Sequence, residues 1–142
     1  MASISLSRAR QMIRKTLEAG REAEMNPLSV VVLDNGGHVI AFERQDGASP
    51  GRFAIAHGKA YGAVMLGMPG SAQMARAEAQ PYFVAAANGA FGGAMIPVPG
   101  GILIKDSKGR TLGALGVTGD SSDNDAAAGK AGVEAAGLVA AI

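Results

Sequence analysis

The spacing of apolar residues changes along the chain, and each change predicts a different element. Ala9, Met12, Ile13, Thr16, Leu17 and Gly20 recur at the helical period, with Arg8, Arg10, Arg14, Lys15 and Glu18 mostly on the other side. Ser5 or Ser7 stands where an N-cap is expected, and Asn26-Pro27 predicts the stop. Leu28 to Leu33 reads LSVVVL, an uninterrupted β-branched run that predicts a central strand buried on both faces. Asp34-Asn35-Gly36-Gly37 follows, and because Asn and Gly tolerate positive φ it reads as a hairpin turn. His38 to Arg44 is the predicted returning strand.

Beyond the loop Gln45 to Gly51, a helix of small residues is predicted from Arg52 to Leu66, closed by Met68-Pro69-Gly70. Ser71 is positioned to cap another helix, which Pro81 interrupts or kinks. Asn88 to Gly101 is rich in Gly and Pro and reads as irregular. Ile102 to Lys105, the turn Asp106-Ser107-Lys108-Gly109 and Thr111 to Thr118 form a second predicted hairpin. Ser122, with Asp125 three residues on as a capping box, opens a last helix expected to run to Ile142. Helices alternating with hairpins predict an α+β sandwich on an antiparallel sheet, and with no linker the expectation is one domain over 1–142.

Composition narrows the function classes. The 142 residues suit a single domain, and 48% hydrophobic content supplies a core. No apolar stretch approaches the roughly 18 residues of a membrane helix, so no membrane partner is expected. The 13 basic residues are scattered, the net charge is only +1, and aromatics are 4% with no Trp; nucleic acid is therefore not an expected partner. Zero cysteines exclude disulfides, thiolate metal sites and cysteine nucleophiles. The basic N-terminal stretch lacks a following apolar h-region, which sets the expectation of a cytoplasmic protein. The 21 glycines have no period, and those inside helical patterns suggest close backbone packing.

Few residues offer chemistry. At 100° per residue, Arg52, Ile55, Lys59, Gly62 and Leu66 share a stripe expected to face the sheet. Lys59 in that stripe is either a lysine whose stem snorkels along the core edge or a partly buried ammonium that holds a ligand carboxylate or works as a catalyst of lowered pKa. A buried ammonium needs a partner, for which Asp34, Asp46 or a ligand carboxylate are the candidates. His57 falls about 200° from Ile55, on the face of Phe53, Tyr61 and Val64, and reads as a surface or subunit-interface residue. His38 sits alone after a turn. No His/Asp/Glu spacing of a metal site occurs, so no metal is expected. Arg44 and Asp46 leave a strand for a loop, where an Arg–Asp pair is structural or else a carboxylate clamp. Asp120, Asp123 and Asp125 precede a helix and read as capping residues. The glycines from Gly113 to Gly119 lie along a strand without a Walker lysine, which disfavours nucleotide binding.

Several stretches together resemble the GlcG/HbpS family, the heme-degrading or heme-binding domain family related to the C-terminal domain of PduO. They are Ser5-Leu6, VVVLDNGGHVIAFERQDGA at Val30 to Ala48, Lys59-Ala60, Pro99-Gly100-Gly101, GALGVTG at Gly113 to Gly119, and Asp125. They occur in the family's order across nearly the whole chain. The resemblance implies a profilin-like sandwich with a five-stranded antiparallel sheet and helices on both faces, assembled as a dimer or octamer. Heme enters as a ligand through the resemblance alone; the residues themselves demand no cofactor. The sequence departs from the family in His57 and Tyr61, where small or hydroxylated residues are usual, and in Ile102-Leu103-Ile104, which lacks the usual proline after the Gly pair.

The combined reading is an oligomeric small-ligand-binding protein, related to tetrapyrroles or small organic acids and accessory to catabolism. Arg44, Lys59, Gly100 and Gly101 are its candidate ligand-binding residues. The alternative is a cofactor-independent isomerase, lyase or hydrolase of a small carboxylic acid, with Lys59, Asp46 and His57 as candidate catalytic residues. In that version Arg44 or Lys59 holds the carboxylate while Asp46 or His57 moves a proton. A purely structural subunit is the third reading.

Overall fold

A computed structural model describes residues 3–142, so residues 1 and 2 of the domain read over 1–142 lie outside it. The first helix, α1 (Leu6–Glu22), is capped by Ser5, whose hydroxyl accepts from the Arg8 N–H at 3.1 Å. Its buried face is the predicted stripe, Ala9 to Gly20. It ends at Ala23, with Glu24 at φ 57°, ahead of the expected Asn26-Pro27 stop. Strands β1 (Ser29–Asp34) and β2 (Val39–Arg44) form the predicted hairpin.

Next come α2 (Arg52–Leu66), α3 (Gly70–Ala79) and α4 (Pro81–Ala90). Pro81 begins α4 rather than kinking α3, because proline suits the first turn of a helix. Ser71 does not cap α3: Pro69 occupies that position, and the Ser71 hydroxyl donates to the Ile142 carbonyl at 2.9 Å. Strands β3 (Gly101–Lys105) and β4 (Thr111–Thr118) form the second hairpin.

The last helix, α5 (Ser122–Ala135), departs from expectation at both ends. Its cap is Ser121, which accepts from Asn124 N–H at 3.2 Å, so Asp125 is released from the capping role. The helix does not reach Ile142. Gly137 takes φ 77°, Leu138 N–H bonds back to the Val133 carbonyl at 3.3 Å, and the chain leaves as β5 (Val139–Ala141).

The five strands pair antiparallel in the order β2-β1-β4-β3-β5. Alternating side chains of β1 divide the core: Val30 and Val32 pack under α1 and α5, whereas Val31 and Leu33 pack under α2. On the α1/α5 side the two helices approach so closely that a Cβ at Gly132 would collide with Thr16 Oγ1, the packing role expected for helix glycines. On the other side, the residues of α2 that meet the sheet are Ala56, Ala60 and Ala63, while Ile55 and Leu66 are only half-buried. The predicted stripe is thus rotated, because small alanines let the helix settle against β4. Among the described residues no helix is long and apolar enough to cross a membrane.

Candidate functional site

The rotation of α2 decides where its two ionisable side chains go. Lys59, only 3% exposed, points toward the junction of β3, β4 and α5. Its Nζ donates to Asp125 Oδ2 at 3.1 Å and to the Val117 carbonyl at 3.0 Å. The other Asp125 oxygen, Oδ1, accepts from the Asp120 N–H at 2.9 Å. Burial lowers the Lys59 pKa, Asp125 opposes that shift, and Arg52 adds to it. The partner is therefore Asp125, not Asp34 or Asp46. Asp34 instead closes the β1–β2 turn, accepting from Gly36 N–H at 2.9 Å and His38 N–H at 3.0 Å.

Gly100 and Gly101 belong with Lys59. A Cβ on Gly101 would collide with the Lys59 carbonyl, and one on Gly100 would lie 2.9 Å from Lys59 Nζ. Gly100 also holds φ 112°, a conformation side chains rarely adopt. The Pro99-Gly100-Gly101 segment thus wraps the lysine.

His57 lies on the outer face of α2, in a ladder of rings. Phe42 meets Phe53 edge-on at 4.8 Å, Phe53 lies 5.7 Å from His57, and His57 stacks on Tyr61 at 5.3 Å and 20°. Phe53 is 41% exposed. Partial burial lowers the His57 pKa below its ordinary 6.5, which keeps the imidazole neutral at physiological pH. His38 is exposed at the turn.

Arg44 and Asp46 share a different place, a depression of about 470 Å³ on the α1 side that also involves Arg21 and Gln45. Gln45 is fixed there, its Oε1 accepting from Leu28 N–H at 2.6 Å. The candidate residues therefore fall in three groups: Lys59 with Gly100 and Gly101, His57 in the aromatic ladder, and Arg44 with Asp46. No hydrogen bond, ion pair or shared depression connects these groups among the described residues. Sequence reasoning missed Asp125 as a partner, and no local signal marks a contact spanning 66 residues. It also missed Arg21, although the helical period places that residue beside Leu17.

The sequence matches the family described as "Haem degrading protein HbpS-like" over residues 4–134. The chain belongs to this HbpS-like family. The fold agrees: a five-stranded antiparallel sheet between α1/α5 and α2 is shared with solved members. A structure described as a PduOC:heme complex superposes with TM-score 0.85 at 20% identity, covering 96% of this chain and 97% of that one. HbpS superposes with TM-score 0.82 at 26% identity, covering 95% and 91%. The Klebsiella pneumoniae protein ORFY does so with TM-score 0.82 at 22% identity, covering 96% and 93%. No curated protein sequence matches the chain. Among the described residues of this HbpS-like chain, no three His, Asp or Glu side chains cluster to hold a metal ion.

Proposed function

We propose that the chain is an oligomeric small-ligand-binding protein that takes a tetrapyrrole of the heme class, with His57 as the iron ligand. The observation that carries this reading is the His57 ring: neutral, half-buried, and flanked by Phe53 and Tyr61 on an open helix face. Among the described residues none hydrogen-bonds to the imidazole, so a ring nitrogen is free for a metal. Phe53 and Tyr61 would give apolar cover beside it. Bound heme would supply iron chemistry that no side chain here provides. One of the solved relatives is itself a heme complex.

The donor set fits heme at this one residue and with one imidazole. With Phe53 41% exposed beside His57, a ligand on the α2 face is open on one side unless another copy covers it. Helix α4 supports such assembly: Pro81–Ala90 carries no charge, only Val84 is buried, and Tyr82 is 72% exposed. A helix apolar all round is ordinarily buried. An accessory role in catabolism is the setting that suits this reading.

Acid–base catalysis on a small carboxylic acid is the weaker reading. Arg44 and Asp46 do share one depression, but Lys59 is sealed against Asp125 and His57 lies on α2, on the other side of the sheet.

Titration with hemin, followed by absorption, tests the proposal. The expected result is a saturable complex of high-spin type, lost in His57→Ala and kept in His38→Ala. Binding unaffected by His57→Ala would refute it.

A further inference from the structure

We infer that Tyr61 is a positioning residue for His57: it covers one face of the imidazole and leaves the edge of the ring, where the nitrogens lie, open to a metal. The inference rests on the tetrapyrrole reading for its ligand and on the aromatic ladder for its geometry.

Phe53, His57 and Tyr61 stand four residues apart on α2, so each ring is about 6 Å along the axis from the last. The centroid separations of 5.7 and 5.3 Å match that rise, and the ring planes differ by only 31° and 20°. The rings are therefore stacked along the helix, with the two faces of the imidazole turned toward Phe53 and Tyr61. A ring nitrogen binds a metal through a lone pair in the plane of the ring. Covered faces and a bare edge are thus the arrangement that ligation needs.

Both neighbours of His57 are braced by the β1–β2 hairpin. Phe42 of β2 meets Phe53 edge-on at 4.8 Å. Gly37, in the turn, lies against Tyr61: a Cβ there would stand 3.2 Å from Tyr61 Cε1 and 3.0 Å from Met65 Cε. With φ 84°, Gly37 brings bare backbone up to the phenol ring. The turn limits the movement of Tyr61, and Tyr61 in turn limits that of His57. Among the described residues no hydrogen bond fixes the imidazole, so stacking is what holds its orientation. Without Tyr61 the ring has more than one staggered χ1 and a broad χ2 to occupy. Spreading over roughly three arrangements, of which one suits the metal, weakens binding about threefold.

Nuclear magnetic resonance of the full chain without hemin, followed by hemin titration of the same samples, tests this. In the wild type the His57 ring protons should be shifted upfield by the stacked rings and should show nuclear Overhauser contacts to the Tyr61 ring. Tyr61→Phe should keep the shift and the hemin affinity. Tyr61→Leu, which keeps apolar bulk in place, should lose part of the shift, bind hemin about threefold more weakly and broaden the iron–imidazole band of the reduced complex. If hemin binding proves independent of His57, the tetrapyrrole reading fails, while an intact His57–Tyr61 shift still supports Tyr61 as the residue that orients the ring. A wild type without the upfield shift, or a shift and affinity unchanged in Tyr61→Leu, overturns the inference even where His57 binds hemin. Equal losses in Tyr61→Phe and Tyr61→Leu overturn it as well, since the hydroxyl rather than the ring would then act.

Discussion

Replacing Lys59 by methionine probes the contact that joins α2 to α5. Methionine keeps the length of the side chain but removes the ammonium, leaving the Asp125 carboxylate, 2% exposed, with the Asp120 N–H as its remaining donor. A buried ion pair broken on one side costs about 3–5 kcal/mol, because the surviving charge is desolvated without compensation. Lys59→Met should therefore lower stability by that amount, a drop in Tm on the order of 10–15 °C for a chain of this size. Asp125→Leu alone should do similar damage, since it strands the ammonium. The double variant Lys59→Met/Asp125→Leu removes both charges and should return to within about 1–2 kcal/mol of the wild type or exceed it. Urea unfolding followed by circular dichroism, at one fixed protein concentration because assembly contributes, measures all four corners of the cycle. If Lys59→Met proves neutral, or if the double variant is as damaged as the sum of the singles, the pair does not hold the two helices as described.

Two further outcomes follow from the geometry. The Asp34 pKa is lowered, chiefly by the His38 backbone N–H, so above the ordinary 3.8 its charged form contributes stability that is lost as pH falls through the folded value. Asp34→Ala should lower stability at neutral pH and flatten the acid limb of the unfolding profile below that pH; an unchanged limb would contradict it. Light scattering after size exclusion should show a dimer or larger, and Tyr82→Glu on the uncharged helix α4 should weaken the assembly. A wild type that runs as a clean monomer would refute the covered-face argument.

The sheet was legible where local chemistry is strong. The apolar LSVVVL run and the Asp34-Asn35-Gly36-Gly37 turn set the first hairpin within a residue of its observed ends. The last helix was misjudged because Ala, Gly, Val and Leu continue a helical composition past Ala135. The signal that breaks it is a single residue, Gly137, in the left-handed conformation of a helix terminus. Asp125 shows how two local patterns compete. Its spacing from Ser122 imitates a capping box, yet Ser121 is the cap and the carboxylate turns inward to Lys59. The face of α2 was placed wrongly because a helix of Ala and Gly has little contrast between its sides, so larger Ile55 and Leu66 drew the stripe away from Ala56, Ala60 and Ala63. Grouping Arg44 with Lys59 failed for a topological reason. Arg44 ends an edge strand beside α1, and the sheet separates it from the lysine.

The role of His57 is tested most directly by resonance Raman spectroscopy of the hemin complex after its iron is reduced to the ferrous state with dithionite. A five-coordinate signature with an iron–imidazole stretching band is expected in the wild type and in His38→Ala, and is expected to be absent in His57→Ala. An iron–imidazole band that survives His57→Ala, or a six-coordinate bis-imidazole spectrum, would contradict it.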